Sequence, residues 1–451
     1  MWALKSSDAM GRILRLGIFT VVVLAFAAPQ RASAQVVISD PDFAKVDFDR
    51  WIAEGPRTDI PWKLNISSFG ITYFQRFIAR MEIHIPGDAA IRRAGKGQFL
   101  FFVQITDSRG FSFQSHNQID LDDAKNIPRE PMFSQNILVI PGDYRVDFAV
   151  YDSATQERSF AERKFRVAPL HNDQLPKSWD GADSVEIVPD LSAPDKWFLP
   201  RATDKLNLRL DTHTPVNLQI IGSGGWSDEL TMEKVLSQIE VTRGSSEFAL
   251  LSYQRRSVVF EQDLAQPLDW PKLKSALAAV DPNTIDAKAL VNRRDNLKFF
   301  LDELARRMNA SPPPSSGKGS GALPVYLIIS PPWDFRSADK VDPIRAPEAS
   351  HYLVFYVRCH PEPDKDSHPR SAANLNHPKN AGAGSMGTRM PDDNFQKSGG
   401  VDYLEHTLAP LHPRLFDINS PEDFRKALAT ILSDIAKASQ GNVARTPKGS
   451  E

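Results

Sequence analysis

Residues 323–330, LPVYLIIS, and 351–359, HYLVFYVRC, are apolar at almost every position. A strand with one wet face alternates. A strand that is apolar at successive positions has both faces covered, as in a parallel sheet flanked by helices. These runs constrain the second half of the chain more than any other feature, because helices must lie close by in sequence to do the covering. DELTMEKVLSQIE (228–240) has helical character, and PKLKSALAAV (271–280) opens with Pro271 in a first turn. ALVNRRDNLKFFLDELARRM (289–308) carries a stripe of Leu290, Leu297, Phe300, Leu301, Leu304 and Met308, the pattern of a core-facing helix. DYLEHTLAPL (402–411) is a shorter helix. Ser420-Pro421-Glu422-Asp423 reads as a cap, a proline at the first helical position and two acids suited to the helix dipole. The helix it opens, to about residue 438, turns Phe424, Leu428, Ile431, Leu432 and Ile435 inward.

Between these lie LNLRL (206–210), VNLQIIG (216–222), FALLSYQ (248–254), SVVFEQ (257–262) and RLFDI (414–418), all strand-like. The order β-α-β-β-α-α-β-β-α-β-α over 205–440 predicts a doubly wound α/β domain with one hairpin. Polar insertions fall near 311–322 and 360–400, and 441–451 reads as a disordered tail.

The first half has another rhythm. FIARMEIHI (77–85) alternates, with Phe77, Ala79, Met81, Ile83 and Ile85 on one face. QFLFFVQIT (98–106) is apolar enough to be a central strand, and Asp107-Ser108-Arg109-Gly110 turns it into FSFQSHNQIDL (111–121). ILVIPGDYRVDFAVYD (137–152) reads as strand, Pro-Gly turn, strand, and RSFAERKFRV (158–167) follows. Strands in succession without helices predict an all-β antiparallel sandwich over 35–168. Residues 169–204, with five prolines, form an interdomain connection.

Two resemblances emerge. PGDYRVDFAVYD resembles the late hairpin of immunoglobulin-like and fibronectin-like domains, in which a Pro-Gly turn precedes a tyrosine-bearing strand. The second half resembles a von Willebrand factor type A domain. FALLSYQRRSVVFEQ is similar to that family's second strand, turn and antiparallel edge strand; LPVYLIIS to its fourth strand; HYLVFYV to its fifth; RLFDINSPEDFRKAL to its closing strand and helix. Metal-binding members carry Asp-x-Ser-x-Ser after the first strand, a Thr from a middle loop and an Asp after the fourth strand, hard oxygens that suit Mg²⁺. Here the first strand runs into Gly222-Ser223-Gly224-Gly225-Trp226-Ser227. Gly222 stands where the metal aspartate belongs, and Gly224 and Trp226 where the serines belong. Ser330-Pro331-Pro332 replaces the acid after the fourth strand, and Thr284 is the sole match to the middle threonine. Asp228 and Asp334 are nearby but displaced. The resemblance therefore implies a metal-site remnant, with no metal and no cofactor expected. The glycine run is also G-x-G-x-x-S, lacking the third glycine of a dinucleotide fingerprint, and no Gly-Lys-Ser/Thr is present for a P-loop.

Export is expected from the N-terminus. Lys5, Arg12 and Arg15 precede an apolar stretch, 16–28, and Ala32-Ser33-Ala34 offers a cleavage site, making 1–34 a signal peptide. Removing it takes Lys+Arg from 54 to 50 and Asp+Glu from 56 to 55, a net charge near -5. That mild balance argues against nucleic acid as partner, and no later stretch is apolar and long enough to span a membrane. Cys359 is the sole cysteine, so stability must come from packed cores. Its thiol is either a small buried apolar group or open to pairing with another chain.

Composition and motifs together predict a non-enzymatic protein-binding module or scaffold, periplasmic or secreted, with a protein partner at the cell envelope. Its candidate binding face is the strand C-terminal end: Gly222, Ser223, Gly224, Trp226, Asp228, Thr284, Trp333 and Asp334. Trp226 and Trp333 there are either interface anchors or covered by the neighbouring insertion. One alternative is Mg²⁺-dependent adhesion through the displaced Asp228 and Asp334. Another is a hydrolase or Zn²⁺ protein using the segment Cys359–His377, whose ligand spacings match no known finger.

Overall fold

The computed structural model describes residues 43, 45–95, 97–121, 130–188, 206–223, 227–252, 255–279, 293–310, 322–332, 342–345, 352–360 and 402–440. They form two compact units interleaved along the chain. One takes the described residues up to Trp62 together with Ile85–Pro131 and Asp143–Phe165; the other takes Lys63–His84, Met132–Gly142 and the described residues from Arg166 onward.

The first unit is built on a five-stranded antiparallel sheet. Its strands are β1 (Arg57–Thr58), β4 (Gln98–Asp107), β5 (Ser112–Asp120), β7 (Gly142–Asp152) and β8 (Arg158–Val167), in the order β1-β8-β7-β4-β5. QFLFFVQIT is internal, as its apolar density predicts, with Phe102 opposite Ala149 on β7 and His116 on β5. One helix here has no apolar repeat long enough to read in sequence: α1 (Phe48–Glu54), whose Asp47 cap accepts from Arg50 N. Its Phe48 and Trp51 join Phe43, Phe102, Ala149 and Phe160 in an aromatic cluster, with edge-on ring pairs 4.8–4.9 Å apart between Phe43 and each of Phe48 and Phe102. A single turn, α2 (Gly87–Ile91), precedes β4.

The second unit holds three sheets. β2 (Lys63–Ile71), β3 (Phe77–His84), β6 (Met132–Val139) and β9 (Val185–Val188) pair antiparallel in the order β2-β3-β6-β9. The alternation expected of FIARMEIHI holds, with Phe77, Ala79, Met81 and Ile83 buried. One reading of the sequence needs correction. Pro141-Gly142 does not close a hairpin: β6 pairs with β3 and β9, β7 pairs with β4, and the turn carries the chain from one sheet to another. A turn sequence fixes a change of direction, but pairing is fixed by which faces find partners. Within 169–204 lie the 3-10 turn Pro176–Trp179 and β9.

From residue 206 onward the expected α/β order appears. β10 (Leu208–Leu210) and β12 (Ile239–Val241) make a small parallel pair. A six-stranded sheet runs β14 (Ser257–Asp263), β13 (Gly244–Ser252), β11 (Val216–Gly222), β15 (Leu323–Ser330), β16 (Leu353–Cys359), β17 (Arg414–Ile418), all parallel except the β13–β14 hairpin. Its helices are α3 (Ser227–Leu236), α4 (Trp270–Ala279), α5 (Arg293–Ala310), α6 (Tyr403–Leu408) and α7 (Pro421–Ser439). α3 ends four residues before the helical stretch read from sequence, because Ile239–Val241 leaves to pair with β10.

LPVYLIIS is buried from Pro324 to Ser330, as a strand covered on both faces must be. On one face Tyr326, Ile328 and Tyr356 pack with Leu297, Phe300, Leu301 and Leu304 of α5 and with Leu404 and Leu408 of α6. α7 packs along β16 and β17, and α3 along β11 and β15. Ser420 caps α7 by accepting from Asp423 N, with Pro421 at its first position, as SPED predicts.

Candidate functional site

The C-terminal ends of β11 and β15 are hydrogen-bonded neighbours: Ser223 N donates to Ile329 O at 3.2 Å. Gly222 and Ser223, both predicted site residues, sit here and are buried. Their neighbours are not the acids expected from sequence. Glu229 and Glu233, one turn apart on α3, are both buried. Glu229 Oε1 accepts from Ser223 N at 3.0 Å and from Ser223 Oγ at 2.7 Å. Glu233 lies directly against the glycine: a Cβ at position 222 would sit 1.7 Å from its Oε1. A Cβ at 222 would force this buried carboxylate to shift, so the glycine accommodates the close approach of a side chain. The side-chain space at the end of the first strand, where the resemblance puts a metal-binding aspartate, is thus filled from the helix.

Glu229 and Glu233 were missed because they fall on an apolar stripe. α3 turns residues 229, 232, 233, 235 and 236 inward, and Met232, Val235 and Leu236 made the face look like an ordinary core. Acids at two of these five inward positions were the available sign, since buried carboxylates are costly unless something engages them.

The remaining predicted residues divide. Asp228 lies in the first turn of α3, and nothing further of its side chain is described. Gly224, Trp226, Thr284, Trp333 and Asp334 lie outside the described residues, as do Asp364, Asp366, His368 and His377 of the Cys359–His377 segment.

The next pair of strand ends carries a second polar cluster. Ser330 Oγ donates to Pro331 O at 2.9 Å, and Tyr356 OH approaches the same carbonyl at 3.3 Å and Asp402 Oδ2 at 3.0 Å. Burial, with Asp402 beside it, raises the Tyr356 phenol well above its ordinary range. Asp402 also caps α6 through Leu404 N. Arg358 reaches Asp417 at 2.5 Å, Glu405 at 2.7 Å and Asp402 at 3.6 Å. His360 Nε2 meets Asp417 Oδ1 at 3.0 Å. The Arg358 hydrogen bond and then that of His360 hold Asp417 below the usual carboxylate range against its burial. Cys359 is buried, its thiol turned to Val357 O. His360 and Asp417 resemble a base and its orienting acid, but Cys359 turns inward and no described hydroxyl or thiol is bonded to the imidazole as a nucleophile would be. Among the described residues no group of three or more His, Cys, Asp or Glu side chains gathers as a metal-ligand set, and no helix is long and apolar enough to cross a membrane.

No protein-family model matches the chain, and no curated protein does. Among solved structures, the chain is similar to the X-ray structure of Northeast Structural Genomics Consortium target SoR45, at 15% identity and a TM-score of 0.17, over 25% of this chain and 92% of that one. A score so low carries no argument about fold or function.

Proposed function

We propose that the chain is a non-catalytic, metal-independent protein-binding module of the cell envelope or secreted space. In this reading a von Willebrand A-like α/β domain follows immunoglobulin-like β-sheets, and the strand C-terminal face meets a protein partner. The sheet order β14-β13-β11-β15-β16-β17 with a single antiparallel strand supports the von Willebrand A-like part. Metal independence rests on one observation: the Glu233 carboxylate fills the space at Gly222 while Ser223 is engaged by Glu229. Ser223, between the positions of the expected aspartate and first serine, donates its hydroxyl to the Glu229 carboxylate. Export and the envelope location rest on the basic, apolar, Ala-x-Ala pattern of 1–34.

The test is a thermal melt of residues 35–451 after chelation, with Mg²⁺, Mn²⁺ or Ca²⁺ added in millimolar excess and Zn²⁺ at micromolar levels. A ligand at a hundred times its dissociation constant adds about 2.7 kcal/mol, a shift of several degrees. No shift with any ion is expected. A Mg²⁺ or Mn²⁺ shift abolished by Glu233→Gln would overturn the reading, and would make Glu229 and Glu233 the ligands of a displaced adhesion site. A shift with Zn²⁺ alone would direct attention to Cys359 and the histidines after it.

A further inference from the structure

The turn between β2 and β3 is unusually well engaged for a hairpin tip. Thr72 N and Oγ1 both donate to Arg76 O, at 2.8 and 2.9 Å, and Gln75 adopts a left-handed conformation at φ 61°. That strained backbone is costly for a non-glycine residue and persists only where its surroundings hold it. Here they do. Gln75 O accepts from Trp179 Nε1 at 2.8 Å, and Gln75 Nε2 donates to Pro421 O, at the first turn of α7, at 3.2 Å. The Lys234 ammonium of α3 lies 5.4 Å from the Phe74 ring and 5.0 Å from the ring of Trp270 on α4. Arg76 is buried and pairs with Glu186 of β9 at 3.2 Å.

Arg425 completes the joint from α7. It is buried, and its guanidinium forks onto Asp173 at 2.7 and 2.8 Å. It also donates to Leu175 O at 2.8 Å and Ser178 Oγ at 3.0 Å, approaches Gln75 Oε1 at 3.5 Å, and stacks 4.2 Å over Trp179. One cation thus binds a helix at the end of the chain to the 173–179 segment, and through Trp179 and Gln75 to the hairpin tip. A forked, desolvated arginine is a directional fastener as well as a source of adhesion.

We propose that the β2–β3 turn is an internal wedge seated on α3 and α7 and bolted by Arg425. The four-stranded sheet thereby sets where these two helices lie on the six-stranded sheet. Because α3 carries Glu229 and Glu233, the wedge also acts as a positioning element for the Gly222 loop. The influence of residues 74, 75 and 425 on that loop passes through the helices they contact or belong to. This coupling acts within one unit, whether or not the strand-end face binds a partner.

Hydrogen exchange on the full chain tests it. Arg425→Met, and Arg425→Met with Asp173→Asn to avoid stranding a buried carboxylate, are expected to speed exchange together at 72–76, 173–179, 421–428 and 227–236. The acceleration should be about tenfold or more, with β13 and β15 unchanged. Phe74→Ala removes only a half-buried ring and keeps the question open should the arginine variants fail to fold. It is expected to raise exchange in 227–236 as well as at the turn. Acceleration confined to 421–428 in the arginine variants, or to 72–76 in Phe74→Ala, would overturn the proposal by showing that each contact is local.

Discussion

Replacing Asp147 with asparagine should stabilise the protein, and the gain should depend on pH. Asp147 is fully buried in β7 of the five-stranded sheet. Arg145 Nε donates to its Oδ2 at 3.2 Å, but that arginine is 37% exposed and gives much of its charge to water. Among the described residues Oδ1 has no hydrogen-bond partner. Across the sheet the neighbour is Gln104, whose Oε1 already accepts from Gln114 at 2.8 Å. Burial, with the charge of Glu162 nearby, outweighs Arg145 and raises the carboxyl from 3.8 to about 6. A raised acid means that the folded state holds the proton more tightly than the unfolded one. The charged form therefore costs nothing below pH ~4, where both states are protonated, and its full cost is reached above pH ~6. Two units at about 1.4 kcal/mol each give a penalty of about 3 kcal/mol at neutral pH. That penalty is already net of the attraction of Arg145, and an asparagine escapes it, so the gain is at most about 3 kcal/mol. Urea unfolding at pH 7.5 and pH 4, read by hydrogen exchange of β4 and β7 amides so that this unit is followed alone, should show the gain at pH 7.5 and its disappearance at pH 4. Equal destabilisation by Asp147→Asn at both pH values would refute the reasoning, since it would mean that the carboxylate is held as a paired anion.

Two further substitutions probe the α/β unit. Gly222→Ala drives a methyl group into the Glu233 carboxylate and should cost about 3 kcal/mol; adding Glu233→Ala should recover part of it, a coupling measurable by a double-mutant cycle in urea. Arg307, buried on α5, bonds Glu303 at 2.9 Å, Glu247 at 2.7 Å and Glu261 at 3.1 Å. Arg307→Met should cost about 3 kcal/mol at pH 7, the low end for a broken buried pair because Glu261 is half exposed. Glu261 is lowered by Glu247 and then Arg307, and Glu303 by Arg306 and then Arg307. The stability they supply is present above their ordinary carboxylate range and is lost as pH falls through the lowered values, so the deficit of the variant should shrink in acid.

The α/β order was readable because each of its parts has a local cause: uninterrupted apolar strands, an amphipathic α5, and a capped start to α7. β2 was not. Lys63–Ile71 offers Leu64 and Ile66 but then Ser67-Ser68, and its pairing with β3 is irregular between Ser68 and Ile71. Short β9 was hidden in a proline-rich connection because its pairing with β6 depends on residues some fifty positions earlier. The site followed the same division. Gly222 and Ser223 marked the right strand end, but the carboxylates that occupy it come from the inward face of a helix, where periodicity alone assigns core. Only the distance from Glu233 to the glycine distinguishes a filled site from an empty remnant.

The bond from Gln75 to Pro421 joins residues 346 apart. During synthesis the hairpin that makes it is complete long before its helix exists, and loop closure over such a span is slow and must await other contacts. The second unit opens at Lys63 and its described part runs through α7, while four of the first unit's five strands, β4, β5, β7 and β8, are made within that interval. The first unit is therefore free to fold as soon as β8 emerges, whereas the four-stranded sheet stays without its final partner until the last helix is made. Premature termination within Pro421–Ser439 should be far more damaging than the small size of the missing piece suggests. Expression of the segment before residue 205 should yield an intact first unit attached to a sheet whose β2–β3 tip remains open to solvent.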